Sequence, residues 1–223
     1  AAHLAGNKWK VVAVPSTFGA LTAVSTTSAK NVWALSSVGG VPSSAHWNGK
    51  KWSAAPVAAA GVTVTGIATT SAKKVWAVGY HFVTSGTTET PRPLTFRWTG
   101  KAWKQSAAPG SLKSAFLFSV TVNGKHGYAV GLDAPGNGQN TRPLVLRLTN
   151  GKWKSEKVAK RGQASSLSSV SMSSKAASAV GQWSLHPQCT VNATPMHPFI
   201  VSPHGSSWGQ VSAPEVALVQ RRC

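Results

Sequence analysis

Apolar and polar residues alternate along this chain in short stretches that never sustain a helical period, and the stretches fall into two recurring phrases. One is "LTAVSTTSAKNVWALS" from Leu21, which returns as "VTGIATTSAKKVWAVGY" from Val64, "LFSVTVNGKHGYAVGL" from Leu117 and "LSSVSMSSKAASAVGQ" from Leu167. Apolar residues two apart, such as Leu21 and Ala23, run into a Ser/Lys/Gly turn, and the return carries Val32, Trp33 and Ala34 or their counterparts. That pattern predicts two short strands with buried faces joined by a tight turn. The other phrase is "AHWNGKKWSAAP" from Ala45, where Asn48-Gly49 between Trp47 and Trp52 is a hairpin signal. It recurs as "LAGNKWKVVAVP" from Leu4, "RWTGKAWKQSAAP" from Arg97, "RLTNGKWKSEKV" from Arg147 and "VSPHGSSWGQVSAP" from Val201.

The two phrases alternate, so one repeat holds four strands. The second Trp of the hairpin phrase falls at Trp9, Trp52, Trp103, Trp153 and Trp208, in steps of 43, 51, 50 and 55 residues. Such periods suit one four-stranded propeller blade per repeat. The chain is therefore expected to be all-β, a single β-propeller domain over 1–223. Two hairpins alone bury little apolar surface, so the core is expected between neighbouring blades. Trp33 and Trp76 fall on second strands, Trp47 and Trp98 on third strands and the five phrase-marking Trp on fourth strands, all read as core packing. Trp183 stands outside the pattern.

Charge changes the picture more than length does. Lys and Arg number 23 against 4 Asp and Glu, a formal net charge of +19. An excess of this size supports binding to polyanions, while the plainer reading is that turn lysines keep the protein soluble. No run of 18 apolar residues exists, so no membrane-spanning helix is expected. The first residue is Ala1 and the chain is rich in Ser, Thr, Gly and Trp, which reads as a secreted, extracellular chain after removal of a signal peptide; a trimmed chain would look the same. The two cysteines, Cys189 and Cys223, permit one disulfide, with metal ligation or free thiols as the alternatives.

The order "VWAVG", then "WNGKKW", then Pro resembles the kelch and galactose-oxidase-like propellers, and more closely the Trp/Gly-repeat propellers of secreted actinobacterial proteins. The resemblance covers nearly the whole chain and implies a fold more than a function. It makes "LTAVSTTS" the innermost strand of a blade, "NVWALS" the second, "AHWNG" the third and "KKWSAAP" the fourth. Full blades are then expected over about 21–57, 64–109, 117–158 and 167–214. A closing blade would combine 3–14 with 216–223, giving five four-stranded blades closed by mixing N- and C-terminal strands. A four-bladed ring with extra hairpins, or part of a longer propeller, are the alternatives.

In that strand order the first-to-second and third-to-fourth turns share one end of the molecule. Lys30, Lys73, Lys74, Lys125 and Lys175 fall in or beside the former, and Lys8, Lys50, Lys51, Lys101 and Lys152 in or beside the latter, a polyanion-binding face in prospect. The opposite end is expected to carry long, unequal loops: "YHFVTSGTTETPRP" from Tyr80, "LDAPGNGQNTRP" from Leu132 and "QWSLHPQCTVNATPMHP" from Gln182. Loops on a repeating scaffold are where recognition is commonly placed. Candidate ligand-binding residues there are Trp183, Tyr80, His81, Arg92, Arg142, His186 and His197, with Phe82 beside them. Trp183 suits stacking on a sugar or simply covers its own loop, and the two arginines suit bidentate anion binding or stacking between blades.

Catalysis finds little material. Glu89 and Asp133 are the one plausible carboxylate pair for a glycosidase, and nothing fixes their separation. A lyase using Tyr, His and Arg stays open. The set His186, Cys189, Met196 and His197 contains soft and imidazole ligands at a spacing that matches no metal motif, so no metal and no cofactor are expected. Aromatics committed to the core leave few platforms for nucleic acid. The leading expectation is a secreted, monomeric, non-catalytic binding protein, lectin-like or binding polyanions of a cell envelope, with an anionic or neutral polysaccharide as its partner. The alternatives are a polysaccharide-active enzyme, lyase more than hydrolase, and a scaffold for another secreted protein.

Overall fold

A computed structural model describes residues 2–38, 40–136, 140–185 and 196–211. A hairpin of β1 (Ala2–Ala5) and β2 (Lys8–Val11) leads through a single 3-10 turn at Ser16–Phe18 into the first blade. That blade contains β3 (Leu21–Ser28), β4 (Asn31–Val38), β5 (Val41–Trp47) and β6 (Trp52–Pro56). The second contains β7 (Val62–Ser71), β8 (Lys74–Ser85), β9 (Thr88–Trp98) and β10 (Trp103–Ser106). The third contains β11 (Ala115–Asn123), β12 (His126–Asp133), β13 (Arg142–Thr149) and β14 (Lys152–Val158). The fourth contains β15 (Ala164–Met172), β16 (Ala177–Ser184), β17 (His197–His204) and β18 (Ser207–Gln210). Within each blade neighbouring strands are antiparallel, and the last two blades also touch at their outer edges through a short parallel pairing of Lys157 and Val158 with Ser207 and Trp208.

The first strands of successive blades lie against one another: β3 on β7, β7 on β11 and β11 on β15. Hydrogen bonds tie them. The Thr69 N–H donates to Ser25 Oγ at 3.0 Å, Thr65 Oγ1 to the Leu117 carbonyl at 2.7 Å, and the Val170 N–H to Ser119 Oγ at 3.3 Å. The Ser and Thr hydroxyls of the "LTAVSTTS" phrase and its counterparts thus supply polar partners between inner strands that do not pair with one another.

The three largest core clusters each span two blades, and a smaller one packs Phe18 on Ala34 and Ala45 of the first. Trp33 and Leu35 of the first pack with Ile67, Val75, Leu94, Phe96 and Trp103 of the second. Trp76 and Val78 of the second meet Leu117, Leu146 and Trp153 of the third. Val130 and Val145 of the third meet Leu167, Phe199 and Trp208 of the fourth. A blade's two faces therefore belong to two different cores, and truncating one of these indoles to Ala is expected to cost about 3–5 kcal/mol. Not every repeat Trp is buried: Trp9 is 72% exposed. Reading it as core is corrected here, because no described strand packs over its face of β2.

A bulge recurs at one place on every first strand, where the register slips between Leu21 and Ala23, Val64 and Gly66, Leu117 and Ser119, and Leu167 and Ser169. Opposite it in three blades sits a glycine of the "AVG" phrase. A Cβ on Gly79, Gly131 or Gly181 would stand 1.9 Å from the carbonyl oxygen of Thr63, Phe116 or Ser166.

Candidate functional site

The two ends of the blades differ in chemistry. At the turn end, short side chains organise the loops that carry lysine. Asn48 Oδ1 accepts from the N–H groups of Lys50 and Lys51, both at 3.0 Å. Ser173 Oγ accepts from the N–H groups of Lys175 and Ala176, both at 3.1 Å. These are the Asx and Ser/Thr turns that Asn, Thr and Ser favour. Gly49, Gly100 and Gly151 take φ near +92°, +93° and +82° in the third-to-fourth turns, which explains the NG and TG of the repeated phrase.

Both turns of a blade abut. The Lys30 stem lies so close to Gly49 that an added Cβ would come within 2.8 Å of it, and Trp47 Nε1 donates to the Ala29 carbonyl at 3.1 Å. In the third blade the Asn150 N–H donates to the Lys125 carbonyl at 3.1 Å. Lys8, Lys30, Lys50, Lys51, Lys73, Lys74, Lys101, Lys125, Lys152 and Lys175 are all exposed. Among the described residues the ion pair is Arg147 with Glu156 at 4.0 Å, so none of these lysines meets a carboxylate there.

Among the described residues of the other end, strand extends further than the sequence suggests. The stretch from Tyr80 is not a loop: β8 and β9 continue as a two-stranded ribbon to Ser85 and Thr88, with Gly86 at the tip at φ +62°. Trp183 is likewise a strand residue, in β16. The reading of both as loop residues is corrected, since pairing across the hairpin satisfies backbone groups that the polar composition had suggested were solvated. One register position unites the candidates. His81 pairs with Arg92, Asp133 with Arg142 and Trp183 with His197, each second member preceding a proline.

Most of these side chains are engaged within the protein. Arg92 donates to the Lys113 carbonyl. Burial pushes the Asp133 carboxyl above its ordinary value, and the Arg142 guanidinium opposite pulls it back. Trp183 stacks on His197, ring centroids 4.3 Å apart at 18°, and the Arg161 guanidinium lies 5.3 Å from the indole centroid. The indole that looked free for a sugar thus already has a ring and a cation against it. Tyr80 instead joins Phe82, Phe116 and Phe118 in an edge-to-face and stacked aromatic group, with Phe82 48% exposed. Phe116 and Phe118 were missed in the sequence because they alternate within an inner strand and read as core. His186, Cys189 and Cys223 lie outside the described residues, and with them the disulfide and half of the His186, Cys189, Met196 and His197 set.

The two carboxylates stand at different levels of their blades. Glu89 pairs with Thr84, three residue pairs further out along the ribbon than the level of His81 and Arg92, which corresponds to Asp133 and Arg142. That offset is about 10 Å of backbone along the strand, which the register does nothing to close.

No family model and no curated protein matches this chain. Solved structures do. The chain is similar to YCF48 bound to D1 peptide, with a TM-score of 0.53 at 13% identity over 94% of this chain and 58% of that one. It is similar also to a mutant of the Bombyx mori GH32 beta-fructofuranosidase BmSUC1 in complex with sucrose, with a TM-score of 0.51 at 11% identity over 88% of this chain and 48% of that one. The chain therefore spans about half to three fifths of the length of these two. At such identities the likeness establishes an all-β, propeller-like fold and nothing about activity. No helix among the described residues is long and apolar enough to cross a membrane.

Proposed function

We propose that this protein is a secreted, non-catalytic binding propeller that adheres to anionic polymers, polysaccharide first among them, through the turn end of its blades. One observation carries the reading: exposed lysines occupy adjoining turns blade after blade, while the described carboxylates lie elsewhere. Glu89 and Asp133 belong to the opposite end, and Glu156 lies within β14 across from Val145. A surface meant only to be soluble gains nothing from this segregation, since mixed charge serves solubility equally well. The segregated arrangement sets up a positive field across one end of the molecule.

The test is binding of a sulfated or uronate polymer over a salt series. Affinity should fall steeply with ionic strength, because exposed charges are screened beyond about 8 Å at physiological salt. Lys50→Glu, Lys51→Glu, Lys73→Glu and Lys74→Glu together should abolish the binding, and Arg92→Glu with Arg142→Glu should leave it. The reverse result would move recognition to the loop end and make the lysines a solubility device.

A protein partner is the second reading, favoured by the partly exposed aromatic group of Tyr80, Phe82, Phe116 and Phe118. Completion of the ring belongs to the same proposal. Val180 is 43% exposed, whereas its counterparts Val78 and Val130 are wholly buried by the blade that follows. The exposed Trp9 and Val11 of β2 match it as a cover, with 216–223 supplying the inner strand of a fifth blade.

A further inference from the structure

The rule that fills the space between blades is broken at one boundary. At the three boundaries between the described blades a second-strand aromatic meets the fourth-strand Trp of the next blade. Trp33 lies 6.0 Å from Trp103, Trp76 lies 5.5 Å from Trp153, and Tyr128 lies 4.9 Å from Trp208. The residue paired across the hairpin from each fourth-strand Trp then plugs the turn end of the seam. Between the first two blades it is Trp98, 5.2 Å from Trp33. Between the second and third it is Leu148, 2% exposed within the core. Between the third and fourth it is Pro203.

A pyrrolidine ring reaches less far than an indole or an isobutyl group, and space is left. Two hollows of about 360 and 540 Å³ adjoin there, both lined by Tyr128, Met172, Ser173 and Ser174. Each lies within the roughly 300–1,000 Å³ typical of small-molecule sites. Arg147 and His126 line the first and Lys175 the second, and no carboxylate lines either. The Arg147 side chain is 50% exposed; Glu156 stands 4.0 Å from one of its terminal nitrogens, leaving its remaining N–H groups for a ligand. The first-to-second turns of both blades, through Asn123 and Ser174, form the rim, so the groove opens at the lysine-bearing end.

We propose that this groove between the third and fourth blades seats one anionic sugar unit of the polymer. A carboxylate or sulfate ester is held by Arg147 and Lys175, sugar hydroxyls meet Asn123 and Ser174, and the ring lies beside Tyr128. Charge-assisted hydrogen bonds of this kind are the strong ones, and a planar guanidinium matches an oxyanion in two bonds at once. Ser173 shapes the site without being free to serve it, because its oxygen already organises the turn. The proposal rests on the polyanion reading and narrows it: turn lysines hold the polymer by charge, and this groove reads one unit of it.

The test uses uronate, sulfated and neutral tetrasaccharides in calorimetry beside polymer binding. Pro203→Leu, which restores the residue type of the preceding blade, should fill the groove. Arg147→Gln with Lys175→Gln should remove its charges without filling it, and carries the test alone if the first variant does not fold. Wild type should bind a charged tetrasaccharide, the uronate and sulfate arms telling which oxyanion is read. Each variant should lower that affinity about tenfold or more, as loss of a charged hydrogen bond does. Polymer binding should fall less. Unchanged tetrasaccharide affinity in the variants, with salt-dependent polymer binding intact, overturns the groove and leaves the polyanion reading standing. No binding of polymer or tetrasaccharide to wild type overturns that reading itself. A neutral tetrasaccharide that binds as well as the charged ones overturns the role assigned to Arg147 and Lys175.

Discussion

Trp103 and Trp153 fill the same place in successive blades, yet their indoles are treated differently. Trp103 Nε1 donates to Ser44 Oγ at 2.9 Å, whereas Trp153 Nε1 is buried without a partner. The residue corresponding to Ser44 in the second blade is Thr95; both hydroxyls donate to the carbonyl of their fourth-strand partner, Ser44 to Ala55 at 3.2 Å and Thr95 to Ser106 at 3.0 Å, and of the two only Ser44 also accepts from the indole of the next blade. Trp103→Phe should therefore destabilise by about 1 kcal/mol more than Trp153→Phe in denaturant unfolding, and equal losses would refute the distinction. His46 is a second case. Its ring stacks on Trp33 at 4.2 Å, and its Nε2 donates to Asn31 Oδ1 at 2.9 Å. Burial lowers its pKa below 6.5, so the folded state binds the proton less readily than the unfolded chain. Its contribution is present above 6.5 and is lost as pH falls through the folded value. Unfolding midpoints taken from about pH 7.5 down to about pH 5 should drop in the wild type and drop less in His46→Phe, which keeps a stacking ring and has no proton to gain. The place of both tryptophans was legible from spacing alone. Their hydrogen bonds were not, since Ser44 and Trp103 are 59 residues apart and only blade packing joins them.

At the scale of the strand, the bulge and the glycine opposite it act together. Two residues before the bulge, Thr63, Phe116 or Ser166 presents its carbonyl to the second strand, and only hydrogen fits there in three blades. Gly131→Ala should cost about 1–3 kcal/mol, the usual range for forcing a methyl into a packed position, measured as a shift in unfolding midpoint. The first blade shows why this is a matter of geometry. Ser36 takes the glycine position, paired with Leu21, and β3 begins at Leu21, so no preceding strand residue presents a carbonyl to it. A cost for Gly131→Ala no larger than that of an exposed-surface change would refute the account. The "AVG" phrase made the glycine visible in the sequence, and its cause came only with the register. The β8–β9 ribbon was hidden for the opposite reason. Its Thr, Ser and Glu residues have the composition of a loop, and cross-strand pairing rather than burial orders them.

At the scale of the molecule, stability lies in seams between sheets. Val180 of the fourth blade and Trp9 of β2 are exposed, and the fifth blade proposed above would bring them together as one more seam. If 216–223 completes the fifth blade, a chain ending at residue 211 should melt at a lower temperature than the full chain, with the loss read by tryptophan fluorescence. An unchanged midpoint would remove the tail from the ring. The lysine-bearing end is also a property of the whole: each lysine is an ordinary turn residue, and the field arises because every blade points its turns the same way.

Spacing of Trp, Gly and turn residues determined that the chain is all-β and built of repeated four-stranded units whose turns carry the lysines, because these are consequences of local periodicity and of a two-residue turn repeated along the chain. What the sequence could not decide were the events between blades. That Trp183 is covered by His197 and Arg161, that Glu89 stands far along a ribbon from Asp133, and that Pro203 leaves a groove beside Tyr128 all depend on which residues of different repeats face one another. A repeat fixes its own register by local hydrogen bonding, whereas its neighbours meet it through side chains some fifty residues away, and their size and shape are felt only once the sheets pack.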